Sequence, residues 1–138
     1  MRNRSPSQKT FDDAAALREA LRGFHRNSDL VVRTFGLTPR TYLLLLMIKT
    51  AHDGNGIAPL PELEERLQLG KSTITELVLR TEERGLVRRE LDRTRSRGVA
   101  VRLTAEGERL IGETVRALGD ERARLIETLS KIRGFDAA

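Results

Sequence analysis

Six side chains in one short run, Lys71, Ser72, Thr73, Thr75, Glu76 and Arg80, have the types and spacing that can read nucleic-acid bases. They surround an apolar series, Ile74, Leu77 and Val78, that recurs at helical spacing and so marks a buried face. Short polar side chains near a helix N-terminus approach base edges closely in a major groove. The N-terminus itself favours phosphate. Glu76 can accept from a cytosine amino group, or it can pair with Arg80 four residues on. Further along, Arg93, Arg95 and Arg97 alternate with small polar residues. A hairpin tip of that composition can reach along a minor groove or its flanking phosphates. Thr38 and Arg40, at a separate helix start, are placed to hold a phosphate.

The elements around these residues must present them. The first run reads as a helix starting near Lys71 and ending at Arg84-Gly85, with Gly85 as a left-handed terminator. It follows Gln68-Leu69-Gly70, a turn, and a short helix with Leu60, Leu63 and Leu67 on one side. Leu86–Leu91 and Gly98–Leu103 form two strands, and Asp92 to Arg97 join them. Ile57-Ala58 is a short strand available for pairing with this hairpin. The layout of residues 59–104 is helix, tight turn, helix and basic hairpin, a winged helix-turn-helix.

Upstream, Thr38-Pro39 opens a helix, with Thr38 as N-cap and Pro39 in the first turn. Tyr42 to Ile48 is apolar almost throughout, which predicts a helix buried on most sides. A longer helix precedes it, from Thr10 as cap to about Thr34, with Asp12 and Asp13 in its first turn and Gly36 as its stop. Residues 1–9 read as a disordered basic tail.

Both ends of the chain carry seams. Ala14, Leu17, Leu21, Phe24, Ser28, Val31 and Phe35 alternate steps of three and four. After Thr104, a helix N-cap, Ile111, Val115, Leu118, Arg122, Leu125, Leu129 and Ile132 do the same, with Gly119 placed to bend or break the helix. Such seams close the chain's own core or meet a second copy. Their flanking of one compact reader favours dimerisation helices at residues 10–36 and 105–138, around a DNA-binding domain at 37–104. The fold class expected is therefore mainly α with a small β-hairpin wing.

Composition narrows the function classes. The 138 residues are 38% hydrophobic and 33% charged, which suits a folded domain with a real core. Aromatics are only 4%, which argues against single-strand binding by base stacking. Net charge is +5, and the stretch from Arg84 to Arg102 holds seven arginines against Glu90 and Asp92. That local excess points to a polyanion. No cysteine is present, which rules out thiolate metal sites and a cysteine redox sensor. His25 and His52 have no metal-ligand spacing, and neither a P-loop nor a nucleophile–base pattern occurs. No catalytic residue, metal or cofactor is expected. The longest apolar run is far short of a membrane span, so the cytoplasm is the expected compartment.

The pattern resembles the MarR family of bacterial winged-helix regulators, from about Leu17 to Leu110. The likeness rests on Leu37-Thr38-Pro39, Leu63-Glu64-Glu65-Arg66-Leu67, Lys71-Ser72-Thr73-Ile74-Thr75, the run Glu82 to Arg89, and Leu103-Thr104-Ala105-Glu106-Gly107. The resemblance implies a homodimer on a roughly palindromic operator, with recognition helices in successive major grooves and wings in the flanking minor grooves. It implies a repressor released from double-stranded DNA by a small, often aromatic, effector. Phe24, His25, Tyr42 and Met47 are the candidate lining residues, each with core packing as the plainer role. Three departures stand out. Arg95 replaces the usual wing aspartate ahead of Arg97, which leaves Asp92 as the substitute. Thr81 stands where a core leucine is usual, and Leu79 where a polar residue is usual. Only about thirty residues follow Gly107, so a shortened closing helix is expected. The alternative reading is a protein-interaction module in which the winged helix is a dimerisation scaffold without specific DNA binding.

Overall fold

The computed structural model describes residues 4–51, 54–93 and 98–132. The elements run α1 (Gln8–Thr34), α2 (Pro39–Lys49), β1 (Ile57–Pro59), α3 (Leu60–Leu67), α4 (Lys71–Glu83), β2 (Val87–Asp92), β3 (Gly98–Leu103), α5 (Ala105–Ala117) and α6 (Gly119–Ser130). They fall into two compact units, Met1–Val31 with Ala117–Ala138, and Val32–Arg116.

In the larger unit, Thr38 caps α2 as its sequence predicts. Its hydroxyl accepts the Thr41 N–H at 3.1 Å, and Pro39 occupies the first turn. Leu44, Leu45 and Ile48 of α2 are fully buried and pack with Leu63 of α3, Ile74 and Val78 of α4, and Val101 of β3 in one core. The burial of α2 is more one-sided than its composition suggests. Leu43 is exposed, while Tyr42, Leu46 and Met47 are half-buried. The guanidinium of Arg66 satisfies the end of this helix, donating to the Met47 carbonyl and the Thr50 hydroxyl, each at 2.9 Å.

The three strands are antiparallel in the order β1-β3-β2. Ile57 pairs with Arg102, Val87 with Leu103, and Leu91 with Val99. The second strand is shifted by one residue from its expected span and includes Asp92, which is buried, so the wing tip begins at Arg93. Gly85 ends α4 at φ 77°, and the Leu86 N–H returns to the Thr81 carbonyl at 3.2 Å. The start of α5 then lies directly against this junction. Thr104 caps it, its hydroxyl accepting from Gly107 at 3.1 Å and donating to the Gly85 carbonyl at 2.6 Å. A Cβ built on Gly107 would sit 2.1 Å from the Leu86 carbonyl oxygen.

In the smaller unit, α1 begins two residues ahead of the expected Thr10. Ser7 is the cap, accepting the Thr10 N–H at 3.2 Å. Gln8 and Lys9 then reach Asp12 and Asp13 four residues on, each at 3.0 Å, which extends the helix backwards and leaves no acid in its first turn. The helix is interrupted at Leu118, between α5 and α6, beside the glycine that marks the break in the sequence. Along α1 and α6 the seam residues Leu17, Leu21, Phe24, Leu125 and Leu129 are half-buried, and α6 has no fully buried residue. The two helices face each other across a cleft of about 140 Å³ lined by Glu19, Phe24, Asn27, Glu121, Arg124 and Leu125, among others.

Candidate nucleic-acid interface

The helix α4 is anchored by Ile74, Leu77, Val78 and Thr81, which are buried together. Thr81 is tolerated there because its hydroxyl donates to the Leu77 carbonyl at 2.7 Å, so no polar atom is stranded. With that face fixed, Lys71, Ser72, Glu76 and Arg80 are exposed, and Thr73 and Thr75 are half-buried. The exposed row includes Leu79, the residue that departs from the usual polar type. The Thr75 hydroxyl is turned back onto the Lys71 carbonyl at 2.8 Å, so its methyl is the group left for an outside contact. Glu76 and Arg80 form an ion pair at 2.5 Å, the intrahelical option that their spacing leaves open.

Beside this helix lies a cleft of about 270 Å³. Thr38, Arg40, Thr73, Glu76 and Arg80 line it, so five of the residues singled out in the sequence converge. Thr41, Leu77 and Arg84 complete the lining, and the sequence reading gives none of these a nucleic-acid contact. The signal for Arg84 was available, since it follows Arg80 by one helical turn. Three arginines face one carboxylate, and a Thr-capped helix N-terminus opens into the same space. The arrangement suits an oxyanion such as a backbone phosphate. Lys71, Ser72 and Thr75 lie on α4 outside this cleft.

The hairpin is less positive than its sequence suggests, because two of its arginines are neutralised. Arg102 donates to both Glu90 oxygens, at 2.9 and 3.0 Å. These bonds hold the Glu90 carboxyl below its ordinary range and push the Arg102 guanidinium up. Glu90 is diagonal to Arg102 in the register, while Arg88 is directly opposite, so the carboxylate offsets the repulsion between two like charges. Arg89 binds Glu82 of α4 through its backbone N–H at 3.1 Å and its Nε at 2.9 Å. The backbone bond leads in lowering the Glu82 carboxyl. Arg93 is exposed at the end of β2. Arg95 and Arg97 lie outside the described residues, as does His52.

The four candidate effector contacts fall in different units. Phe24 and His25 are on α1, their rings 5.8 Å apart and tilted by 59°, with His25 exposed. Tyr42 and Met47 are half-buried on α2. Phe24 lines the cleft between α1 and α6, and His25 does not.

Residues 35–98 match the model of the MarR family, a span that contains α2, β1, α3, α4 and β2. Over this segment the chain is similar to the MarR family. The MarR-type winged helix extends through most of the chain in solved structures. AbsC, a MarR family transcriptional regulator from Streptomyces coelicolor, is 20% identical over 92% of this chain and 84% of its own, with a TM-score of 0.78. A MarR family protein from Bacillus stearothermophilus is 24% identical over 94% and 86%, with a TM-score of 0.71. A mutant MarR from E. coli, solved in complex with operator DNA, is 21% identical over 83% of each chain, with a TM-score of 0.63. No curated protein sequence matches the chain. MarR family members are transcription regulators rather than enzymes. Among the described residues, no single helix is long and apolar enough to cross a membrane.

Proposed function

We propose that the chain is a sequence-specific double-stranded DNA-binding regulator acting as a homodimer. In this reading α4 enters the major groove, where Lys71, Ser72, Thr73, Thr75, Glu76 and Arg80 read or anchor. The hairpin, through Arg93, Arg95 and Arg97, follows the adjoining minor groove, and Thr38 with Arg40 holds a backbone phosphate. The observation that carries the reading is the cleft in which a capped helix N-terminus and three arginines meet the exposed face of α4. A regulator seated there needs both a base-reading face and a phosphate anchor, and the two are contiguous.

Dimerisation is supported by apolar surface that one chain leaves exposed. Leu30 on α1 is 61% exposed, Ile126 on α6 67%, and Phe11 near the start of α1 54%. A symmetric partner would cover such surface, and two α4 helices would then meet half-sites about one helical turn apart. A dimer across a promoter would act as a repressor, working in the cytoplasm where the DNA is. Release by a small aromatic effector is part of the proposal, tested by adding benzoate-type acids to the DNA complex.

The deciding experiment is a salt titration of binding to pooled random duplexes, with sequencing of the retained fraction. Steep salt dependence with an enriched two-fold-symmetric site is expected. Steep dependence without enrichment would reduce the role to non-specific binding. Absence of retention at low salt would leave the winged helix as a protein-interaction scaffold.

A further inference from the structure

The hairpin carries an apolar pair for which the protein interior has no use. Val87, Arg89 and Leu91 of β2 share one face with their partners Leu103, Val101 and Val99. At the root of the hairpin that face is core, with Val87, Val101 and Leu103 all buried. The apolar pattern then continues past the core. Leu91 is 76% exposed, the most exposed large hydrophobic residue described, and Val99 directly opposite it is half-buried. Cations flank Leu91 along the strand, with Arg89 on its face and Arg88 on the other. Arg88 and Arg89 precede Leu91, and Arg93 follows it. Arg88 and Arg93 are exposed, and neither forms an ion pair among the described residues.

An apolar pair among guanidinium groups complements a surface with apolar walls and anionic rims. The minor groove of DNA is such a surface, with deoxyribose walls between two rows of phosphates. We propose that Leu91 and Val99 pack against the deoxyribose walls of the minor groove while Arg88 and Arg93 face its phosphates. This rests on the DNA-binding reading above and adds to it a contact that displaces no counterions. The wing then has two separable contributions. Its arginines set the salt dependence, and its apolar pair adds affinity that salt leaves alone.

The test uses the full chain and its selected operator, with affinity measured over a range of salt concentrations. Leu91→Ser should leave the unfolding midpoint unchanged, since the side chain is exposed. It should weaken binding about fivefold at every salt concentration, the effect of uncovering part of a leucine side chain, and so shift the log–log line without tilting it. Leu91→Met should restore the affinity, and Arg93→Ala should tilt the line instead. Equal affinity of the wild type and Leu91→Ser would overturn the proposal while leaving DNA binding intact. A change in oligomer mass by light scattering, with DNA affinity unchanged, would overturn it in favour of a contact with a second copy. Failure of the wild type to bind any duplex would instead overturn the DNA-binding reading, and this inference with it.

Discussion

Two glycines on α5, five residues apart, should respond in opposite directions to the same methyl group. Alanine in an exposed helix interior is about 1 kcal/mol better than glycine. Gly112 is exposed, and a Cβ there meets nothing within 4 Å, so Gly112→Ala should gain up to about 1 kcal/mol. At Gly107 the new Cβ would lie 2.1 Å from the Leu86 carbonyl oxygen, 3.1 Å from its carbon and 3.4 Å from Leu103 Cδ2. An ordinary carbon–oxygen contact needs roughly 1 Å more, so α5 must move off the hairpin root. Overpacking of this kind costs about 1–3 kcal/mol. The movement also strains the bond from Thr104 N–H to the Leu86 carbonyl at 3.1 Å and that from the Thr104 hydroxyl to Gly85 at 2.6 Å, worth about 1 kcal/mol each. After the gain in helix propensity, Gly107→Ala should lose about 2–3 kcal/mol. Urea unfolding followed by circular dichroism, at one protein concentration for all variants, measures the contrast. A Gly107→Ala protein as stable as the wild type would refute the packing of α5 on Leu86.

Further outcomes follow from the site. Thr38→Ala removes the α2 cap and should cost about 1 kcal/mol in the same unfolding assay. Arg93→Ala should weaken binding to all duplexes and lower the slope of log K against log salt by about 0.9 per protomer. Glu76→Gln should change the preferred base pair at one operator position, read by selection and sequencing, because an amide pairs with adenine where a carboxylate accepts from cytosine. The carboxyls of Glu82 and Glu90 titrate below 4.5, the value of an unperturbed group. Their contribution to stability is therefore full above that pH and is lost as pH falls through the lower folded values. A Glu82→Gln, Glu90→Gln double variant should lose less of its own stability than the wild type between pH 6 and 3, as urea midpoints would show.

Local features were the legible ones. Thr38-Pro39 marks a helix start because cap and proline act within one turn. Gly36 and Gly85 mark helix ends because the chain there adopts positive φ, at 76° and 77°. The buried face of α4 follows from periodicity alone. The start of α1 was misplaced because Thr10 is a good cap, and only the competition with Ser7, supported by the Gln8 and Lys9 pairs, moves it. What could not be read was anything set by register. Glu90 neutralises Arg102, and Glu82 takes Arg89, only because strands and α4 bring residues twelve and seven apart into contact. The sequence therefore overstates the charge of the hairpin. Arg84 is the helix end that its sequence marks, and its place one turn after Arg80 also brings it to the lining of the cleft.

Among the described residues, the strand order β1-β3-β2 leaves the outer side of β2 without a neighbouring strand. Open strand edges invite pairing with other molecules, and proteins that avoid aggregation defend them. Here the Glu82 carboxylate already occupies the outward N–H of Arg89, and Arg88, Arg89 and Glu90 place charge along the same strand. An incoming strand would have to displace that carboxylate and desolvate those guanidinium groups. The hairpin's charges thus have a second consequence, independent of any nucleic acid: they keep a chain with an open β edge from assembling into sheets with its own copies.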